Sequence, residues 1–177
     1  MKRISVRKIA FAGVVAALYA GLTIIGLSYG PVQLRVSEVL CILPFFFPFS
    51  VPGLVVGCFA ANLLGFYGIV DAVVGSFASL LAALSTMWIS RLGRERLVVK
   101  AFACFPPVIF NALIIGAMIA FLTLGTEEEV SFLFAFSFVG LGQFVVMYAL
   151  GLPLMIYLPK TKLIDKLATL YDRGEEQ

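Results

Sequence analysis

The spacing of charged residues limits the fold of this chain more than any other feature of its sequence. Between clusters of charge lie five uncharged stretches, which together hold 133 of the 177 residues: 9–34, 39–70, 72–90, 101–126 and 130–159. An α-helix needs about 20 residues to cross about 30 Å of hydrocarbon, and each stretch is about that length or longer. Transmembrane β-strands would show segments of about ten residues with alternating polarity, which are absent. The sequence therefore predicts an all-α membrane protein.

The stretch 39–70 is too long for one crossing and is interrupted by Pro48 and Pro52. Proline removes a backbone donor and breaks a helix. We therefore expect two helices in this stretch, at about 37–47 and 52–67. Residues 1–159 are then predicted to form a bundle of six transmembrane helices, the other four spans lying at about 9–28, 71–90, 101–124 and 130–158.

The basic residues predict the orientation of this bundle, because cytoplasmic loops carry an excess of Lys and Arg. With six spans and the N-terminus inside, twelve of the thirteen basic residues lie on the inner side, and the outer loops hold only Arg35 and five acidic residues. Both termini and the basic segment 91–100 are therefore predicted to be cytoplasmic. Residues 160–177 form a polar tail with apolar residues on one helical face, which predicts an amphipathic cytoplasmic helix.

The composition excludes several kinds of chemistry. The chain has no histidine, which rules out a Ser-His-Asp triad, a histidine metal site and a histidine proton relay. It also lacks the G-x-x-x-x-G-K-[ST] loop, so energy for any transport must come from a partner or a gradient. The net charge of +3 comes from clusters beside the membrane and does not indicate nucleic-acid binding. We expect no enzymatic activity and no cofactor.

Three amide side chains lie inside the predicted spans: Asn62, Asn111 and Gln143. A polar side chain is costly in lipid, so each requires an explanation. One interpretation is hydrogen bonding between helices, which contributes about 0.6 to 2 kcal/mol. The other is a binding site for a polar, uncharged ligand such as a nucleobase, because all three lie in the outer half of the membrane or near its midplane.

The loop between the first two spans is the second candidate site. It contains Gln33, Arg35 and Glu38, and Arg35 is the single basic residue predicted outside. Arg35 and Glu38 could form a local ion pair, or Glu38 could face a pocket and accept two hydrogen bonds from the edge of a base. Asp71 is the other acid at a membrane border, where it could also cap the fourth helix.

Aromatic residues at the same predicted depth could stack on a planar ring. They are Phe66, Tyr67 and Tyr148. Packing against lipid or core is the alternative role for each.

Small residues repeat along the first span: Ala12, Ala16 and Ala20 lie four positions apart. This spacing lets another helix approach closely. The neighbour is either a helix of the same chain or a separate partner protein.

Residues 30–44 read GPVQLRVSEVLCILP, and this segment resembles the signature of the QueT family. Members of that family are membrane-embedded substrate-binding (S) components of energy-coupling-factor (ECF) transporters. The six-span layout and the alanine repeat are also similar to S components in general.

The resemblance implies uptake of a queuosine precursor, a deazaguanine base, across a prokaryotic plasma membrane. It implies as partners a transmembrane scaffold (T) component and two cytoplasmic ATPase subunits. It further implies that Ala12, Ala16 and Ala20 dock on the T component, and that Gln33, Arg35 and Glu38 belong to the binding loop. The alternatives are an S component for another vitamin, of the folate or flavin type, or a homo-oligomeric facilitator for small solutes. A membrane-embedded enzyme is disfavoured because Glu38 and Asp71 are far apart in sequence and no metal-ligand motif accompanies them.

Overall fold

The structure, a computed structural model, describes residues 6–25, 35–65, 67–127 and 129–161. These residues form six helical segments and contain no strand. The segments are α1 (Val6–Ile25), α2 (Val36–Phe46), α3 (Ser50–Leu63), α4 (Gly68–Leu92), α5 (Leu97–Leu122) and α6 (Phe132–Lys160). The prediction of an all-helical chain is therefore confirmed for the described residues. The predicted cytoplasmic tail lies outside them, apart from Lys160 and Thr161.

Four of the six segments are long and apolar enough to cross a membrane: α1, α4, α5 and α6. The other two, α2 and α3, are shorter apolar helices that occupy the proline-interrupted stretch. The two segments are separated by a turn that contains Pro48, as the sequence predicts. Pro52, by contrast, lies within the first turn of α3, where its missing N–H costs no hydrogen bond.

The segment α2 runs antiparallel along α1. It starts as a 3₁₀-helix, Val36–Ile42, which rises about 2 Å per residue and so covers more distance than an α-helix of equal length. At its start, Thr23 Oγ1 donates to Ser37 Oγ at 2.6 Å. Just beyond its end, the ring of Phe47 lies 5.5 Å from that of Phe11, between ring centroids. The short segment thus extends beside α1 from Thr23 down to Phe11.

The helix α3 returns along the same side of α1, in the same direction as α1. A Cβ added to Gly53 would lie 2.4 Å from the carbonyl oxygen of Ala12, and one added to Gly57 would lie 2.7 Å from that of Ala16. Only glycine permits this approach of the two backbones. Ala12 and Ala16 therefore take part in a helix contact within the chain, and Ala20 is half-buried on the same helix.

The helix α6 is interrupted by a π-helical segment, Val146–Gly151. Pro153 follows two residues later and has no N–H for the preceding turn, which accounts for the irregular hydrogen bonding here. Gly151 lies against α2, because a Cβ there would come 3.3 Å from the side chain of Ile42. Packing of α6 on α2 and α5 places its first half beside the carboxylate that α2 carries.

Candidate substrate-binding site

A buried carboxylate lies near the start of α2. Glu38 is 1% exposed and belongs to the 3₁₀ part of that segment. The hydroxyl of Tyr19, on α1, donates to Glu38 Oε1 at 2.5 Å. The thiol of Cys41 donates to Glu38 Oε2 at 3.2 Å. A charged group so deeply buried requires hydrogen-bond donors, and α1 and α2 supply two of them.

The two other donors are amides predicted from the sequence. Asn111 Nδ2, on α5, and Gln143 Nε2, on α6, each lie 3.5 Å from Glu38 Oε2. Both side chains are buried, at 5% and 6% exposed. Three elements widely separated in sequence therefore bring their polar groups to one point.

This geometry leaves the side-chain oxygens of both amides available. Asn111 Nδ2 also donates to the carbonyl of Pro107 at 2.9 Å, which fixes the orientation of that amide. Within the described ranges, Asn111 Oδ1 and Gln143 Oε1 accept no hydrogen bond. Buried polar atoms nearly always have a partner, so two such acceptors together indicate a place for a ligand that donates.

The second charged group is an ion pair between α2 and α4. Arg35 donates from one guanidinium nitrogen to both carboxylate oxygens of Asp71, at 2.9 and 3.1 Å. The local pair of Arg35 with Glu38, one of the two alternatives drawn from the sequence, is not formed. Burial by itself would lower the pKa of Arg35, but nearby anionic groups, Asp71 foremost, raise it above its ordinary value. The guanidinium therefore remains charged.

The third predicted amide, Asn62, forms a hydrogen bond to Asp71, one member of this ion pair. Asn62 Nδ2 donates to the backbone carbonyl of Asp71 at 3.1 Å and to Cys58 Sγ at 3.3 Å. Asp71 does not cap its helix, because the N-cap is Tyr67 and Asp71 is the fourth residue of α4. Asn62 therefore forms a hydrogen bond between α3 and α4, and its amide nitrogen is engaged within the protein.

A cleft opens above these groups, and both polar and apolar side chains line it. Its polar wall contains Arg35, Asp71, Asn111 and Gln143. Its remaining wall is mostly apolar and comes from α5, α6 and the start of α4: Tyr67, Ile115, Met118, Ile119 and Val139. Glu38 lies directly behind the two amides and does not itself line the cleft.

Comparison with known proteins decides the family. Residues 9–160 match the QueT transporter family. The chain is 31% identical over 157 residues to a protein of Lactococcus lactis subsp. cremoris (strain MG1363) named queuosine precursor transporter QueT, a match that covers 84% of this chain and 90% of that protein. This chain belongs to the QueT transporter family. It is accordingly a membrane transport protein and not an enzyme. No solved structure is detectably similar to it.

The cleft of this QueT-family protein includes half of the residues predicted from the sequence to bind substrate. Arg35, Tyr67, Asp71, Asn111 and Gln143 line it. Glu38 and Asn62 lie immediately behind it. Gln33 and Phe66 lie outside the described residues.

Tyr148 is placed elsewhere. Its hydroxyl donates to the backbone carbonyl of Ala101 at 3.0 Å, and its ring stacks on Phe144 at 4.4 Å between centroids. It packs on the cluster that contains Met147 and Met155, away from the residues that line the cleft. The sequence predicted that Tyr148 lies at the same membrane depth as the other candidate residues, but it did not predict which face of α6 points inward.

Sequence reasoning missed Tyr19, Cys41 and the apolar wall. Tyr19 is fully buried on the face of α1 that also carries Thr23, one turn later. Their i, i+4 spacing in an otherwise apolar helix was a signal that this face meets polar groups. The apolar wall carried no such signal, because its residue types are those of any membrane helix.

Proposed function

We propose that this chain is the S component of an ECF transporter and that it binds a queuosine precursor, a deazaguanine base, from outside a prokaryotic cell. Import is driven by two cytoplasmic ATPase subunits that act through a T component. Membership of the QueT family supports the substrate class, and the missing nucleotide-binding loop supports the need for ATPase partners. The observation that carries the proposal is the convergence of Asn111 and Gln143 on Glu38 beneath the cleft.

The polar groups of the cleft complement a deazaguanine. Such a base presents a ring N–H and an exocyclic amine side by side, and the free oxygens of Asn111 and Gln143 are two acceptors at one wall. The carbonyl on the same ring is an acceptor that suits the guanidinium of Arg35. The flat faces of the ring fit between apolar side chains such as Ile119 and Val139. Glu38 contributes by holding both amides with their oxygens turned toward the ligand.

The membrane arrangement we propose has six crossings with both termini in the cytoplasm. Contacts along α1 support it for the two short helices. Lys8, near the start of α1, lies over the ring of Phe49 in the α2–α3 turn at 5.1 Å, whereas the opposite end of α2 meets Thr23 near the end of α1. Together α2 and α3 thus extend over nearly the full depth that α1 crosses.

We further propose that α1 docks on the T component through its small residues. Ala12, Ala16 and Ala20 are half-buried, since α3 already covers one side of that stripe. The adjacent residues Gly13 and Ala17 are exposed, and they extend the small-residue surface outward. Co-purification of the two ATPase subunits with the chain is the result expected from an S component, and it would argue against a homo-oligomeric facilitator.

Isothermal titration calorimetry on the detergent-solubilised protein tests the binding site. In Glu38→Gln, the negative charge that accepts from both amides is lost, and an NH₂ group placed at the Oε2 position would oppose the N–H groups of both and turn their oxygens away from the cleft. Loss of hydrogen bonds to a charged group costs about 1.5 to 3 kcal/mol, so affinity for a deazaguanine should fall about ten- to a hundredfold. The control is Glu127→Gln, the same change at an exposed residue. Equal affinities for the two variants would remove Glu38 from the site.

A further inference from the structure

A buried lysine lies at the end of the helix bundle opposite to the cleft. Lys100 is the fourth residue of α5 and is 6% exposed. Ile119, which lines the cleft, lies near the other end of the same helix. Burial of an ammonium group is costly unless an opposite charge and hydrogen bonds compensate for the loss of water. Lys100 therefore requires an explanation that the cleft does not provide.

No described residue compensates the charge of Lys100. Its ammonium group takes part in no hydrogen bond or ion pair with residues 6–25, 35–65, 67–127 or 129–161. The buried acids Glu38 and Asp71 both belong to the cleft end of the molecule, and the one acid of the segment 91–100, Glu95, is exposed. A buried polar group almost always has a partner, so Lys100 indicates a place for an anion that the described residues do not supply.

Helix geometry places the ammonium group where three helices meet. Lys100 shares a face of α5 with Ala103 and Cys104, three and four residues later, and both of these are fully buried. Thr86 Oγ1, on α4, donates to the carbonyl of Ala103 at 3.0 Å, and Cys104 Sγ lies 3.6 Å from Met155 Sδ, on α6. Side chains of a helix point back toward its N-terminus. The side chain of Lys100 thus runs from this α4–α5–α6 junction toward the membrane surface, where α5 begins.

The loop that precedes Lys100 adds further positive charge. Arg91, Arg94 and Arg96 are all exposed, and with Lys100 they give the segment 91–100 four basic residues against one acid. The planar guanidinium group of arginine matches the geometry of phosphate, and lysine binds phosphate as a point charge. A phosphate group is therefore the anion that this set of side chains suits best.

The surface beside the junction is apolar and favours a lipid over a free phosphate ion. Val98 and Phe102, one turn apart on α5, are each 65% exposed, and Trp88, near the end of α4, is 68% exposed. Tryptophan is enriched where a membrane meets water. In the proposed orientation this end is cytoplasmic, and basic pockets between transmembrane helices on that side bind anionic lipid head groups.

We propose that the α4–α5–α6 junction binds one anionic phospholipid. Its phosphate group contacts Lys100 and the arginines of the preceding loop, and its acyl chains lie along Val98 and Phe102. The lipid supplies the negative charge that the burial of Lys100 requires, and it holds the adjoining ends of three helices together. This site is separate from the cleft and goes beyond the proposed function.

Native mass spectrometry of the full chain in detergent tests the site with two lipids that have the same acyl chains. The wild type should retain one phosphatidylglycerol per chain and bind it at least about tenfold more tightly than phosphatidylcholine, which has no net charge. In Lys100→Met, affinity for phosphatidylglycerol should fall about ten- to a hundredfold, because a charged hydrogen-bond donor is lost. The control is Arg7→Met, which removes an exposed positive charge at the start of α1 and should keep the wild-type affinity.

Thermal unfolding in detergent gives a second, independent readout. Without added lipid, Lys100→Met should be at least as stable as the wild type, because it removes a buried charge that has no partner. Phosphatidylglycerol should raise the Tm of the wild type and of Arg7→Met but not that of Lys100→Met. Inorganic phosphate, which carries the same charged group without acyl chains, should raise none of them appreciably.

Four results would overturn the proposal. The wild type could bind both lipids equally, or the two variants could lose phosphatidylglycerol equally, which would mean that only the diffuse positive charge matters. Inorganic phosphate could stabilise the wild type as much as phosphatidylglycerol does, and the anion would then not be a lipid. A lower Tm of Lys100→Met without lipid would mean that an acid of the chain itself pairs with Lys100. Should Lys100→Met not fold, Lys100→Gln is compared with Arg7→Gln in the same two experiments.

Discussion

The site depends on which side chains form hydrogen bonds and ion pairs with one another. Residue type predicted some of these pairs but not others. Polarity inside apolar spans singled out Asn62, Asn111 and Gln143, and the loop between the first two spans singled out Glu38. It left the partner of Arg35 open, because the i, i+3 spacing favours Glu38. Arg35 instead has an extended backbone (φ −84°, ψ 92°) just before the 3₁₀-helix, so its side chain leaves that segment and reaches Asp71 on α4. Which acid pairs with Arg35 depends on tertiary structure, and it cannot be predicted from spacing along the chain.

Tyr19 gives the sharpest test at this scale, because its hydroxyl is the closest donor to Glu38. In Tyr19→Phe the carboxylate loses that bond and is held less firmly behind the amides. We expect the affinity for a deazaguanine to fall about tenfold, or about 1.4 kcal/mol, in calorimetry. The matched control is Tyr148→Phe, which also loses one hydroxyl hydrogen bond but at a site away from the cleft. A larger loss in the control than in Tyr19→Phe would contradict the assignment.

At the scale of helices, the sequence predicted where segments break but not their internal form. Pro48 correctly marked the turn between α2 and α3. The 3₁₀ start of α2 and the π segment of α6 were not predicted, because both arise where a helix adjusts to its neighbours and to a later proline. The 3₁₀ start carries Glu38, and the π segment follows Gln143 by three residues. The irregular parts of the two elements thus lie beside the site.

The close contact of α1 and α3 leads to a second prediction. In Gly53→Ala, the new methyl group would meet the Ala12 carbonyl oxygen at 2.4 Å, so the two helices must separate. Overpacking of this kind costs about 1 to 3 kcal/mol, and thermal unfolding in detergent should show a lower Tm. In the control, Gly13→Ala, the methyl group meets nothing within 4 Å, and the better helix propensity of alanine should leave Tm unchanged or raise it. Equal losses in the two variants would mean that this contact does not limit stability.

For the whole molecule, charge and apolar length predicted the helical class and the order of the segments. Charge does not decide how deeply α2 and α3 enter the membrane. The two short helices could each cross the membrane fully, or they could enter it and return to the same side. In both arrangements α4 begins on the outer side. The proposed orientation of the four long helices is therefore independent of that choice, and it rests on the basic residues of the α4–α5 loop and of the two ends of the chain.

Cysteine labelling in whole cells tests this orientation. A membrane-impermeant thiol reagent should label Glu127→Cys, in the exposed α5–α6 loop, and should not label Glu95→Cys, in the exposed α4–α5 loop, until the membrane is permeabilised. The native cysteines Cys41, Cys58 and Cys104 are buried and should add little background. Labelling of Glu95→Cys from outside would reverse the proposed topology.

Native mass spectrometry of the detergent-purified protein tests the central claim most directly, since it weighs whatever small molecule the cleft retains. The protein should be produced in cells supplied with queuosine precursors. The account predicts one adduct per chain with the mass of a deazaguanine, and the loss of that adduct in Glu38→Gln but not in Glu127→Gln. An adduct with the mass of a folate or a flavin, or a deazaguanine adduct retained equally by both variants, would contradict it.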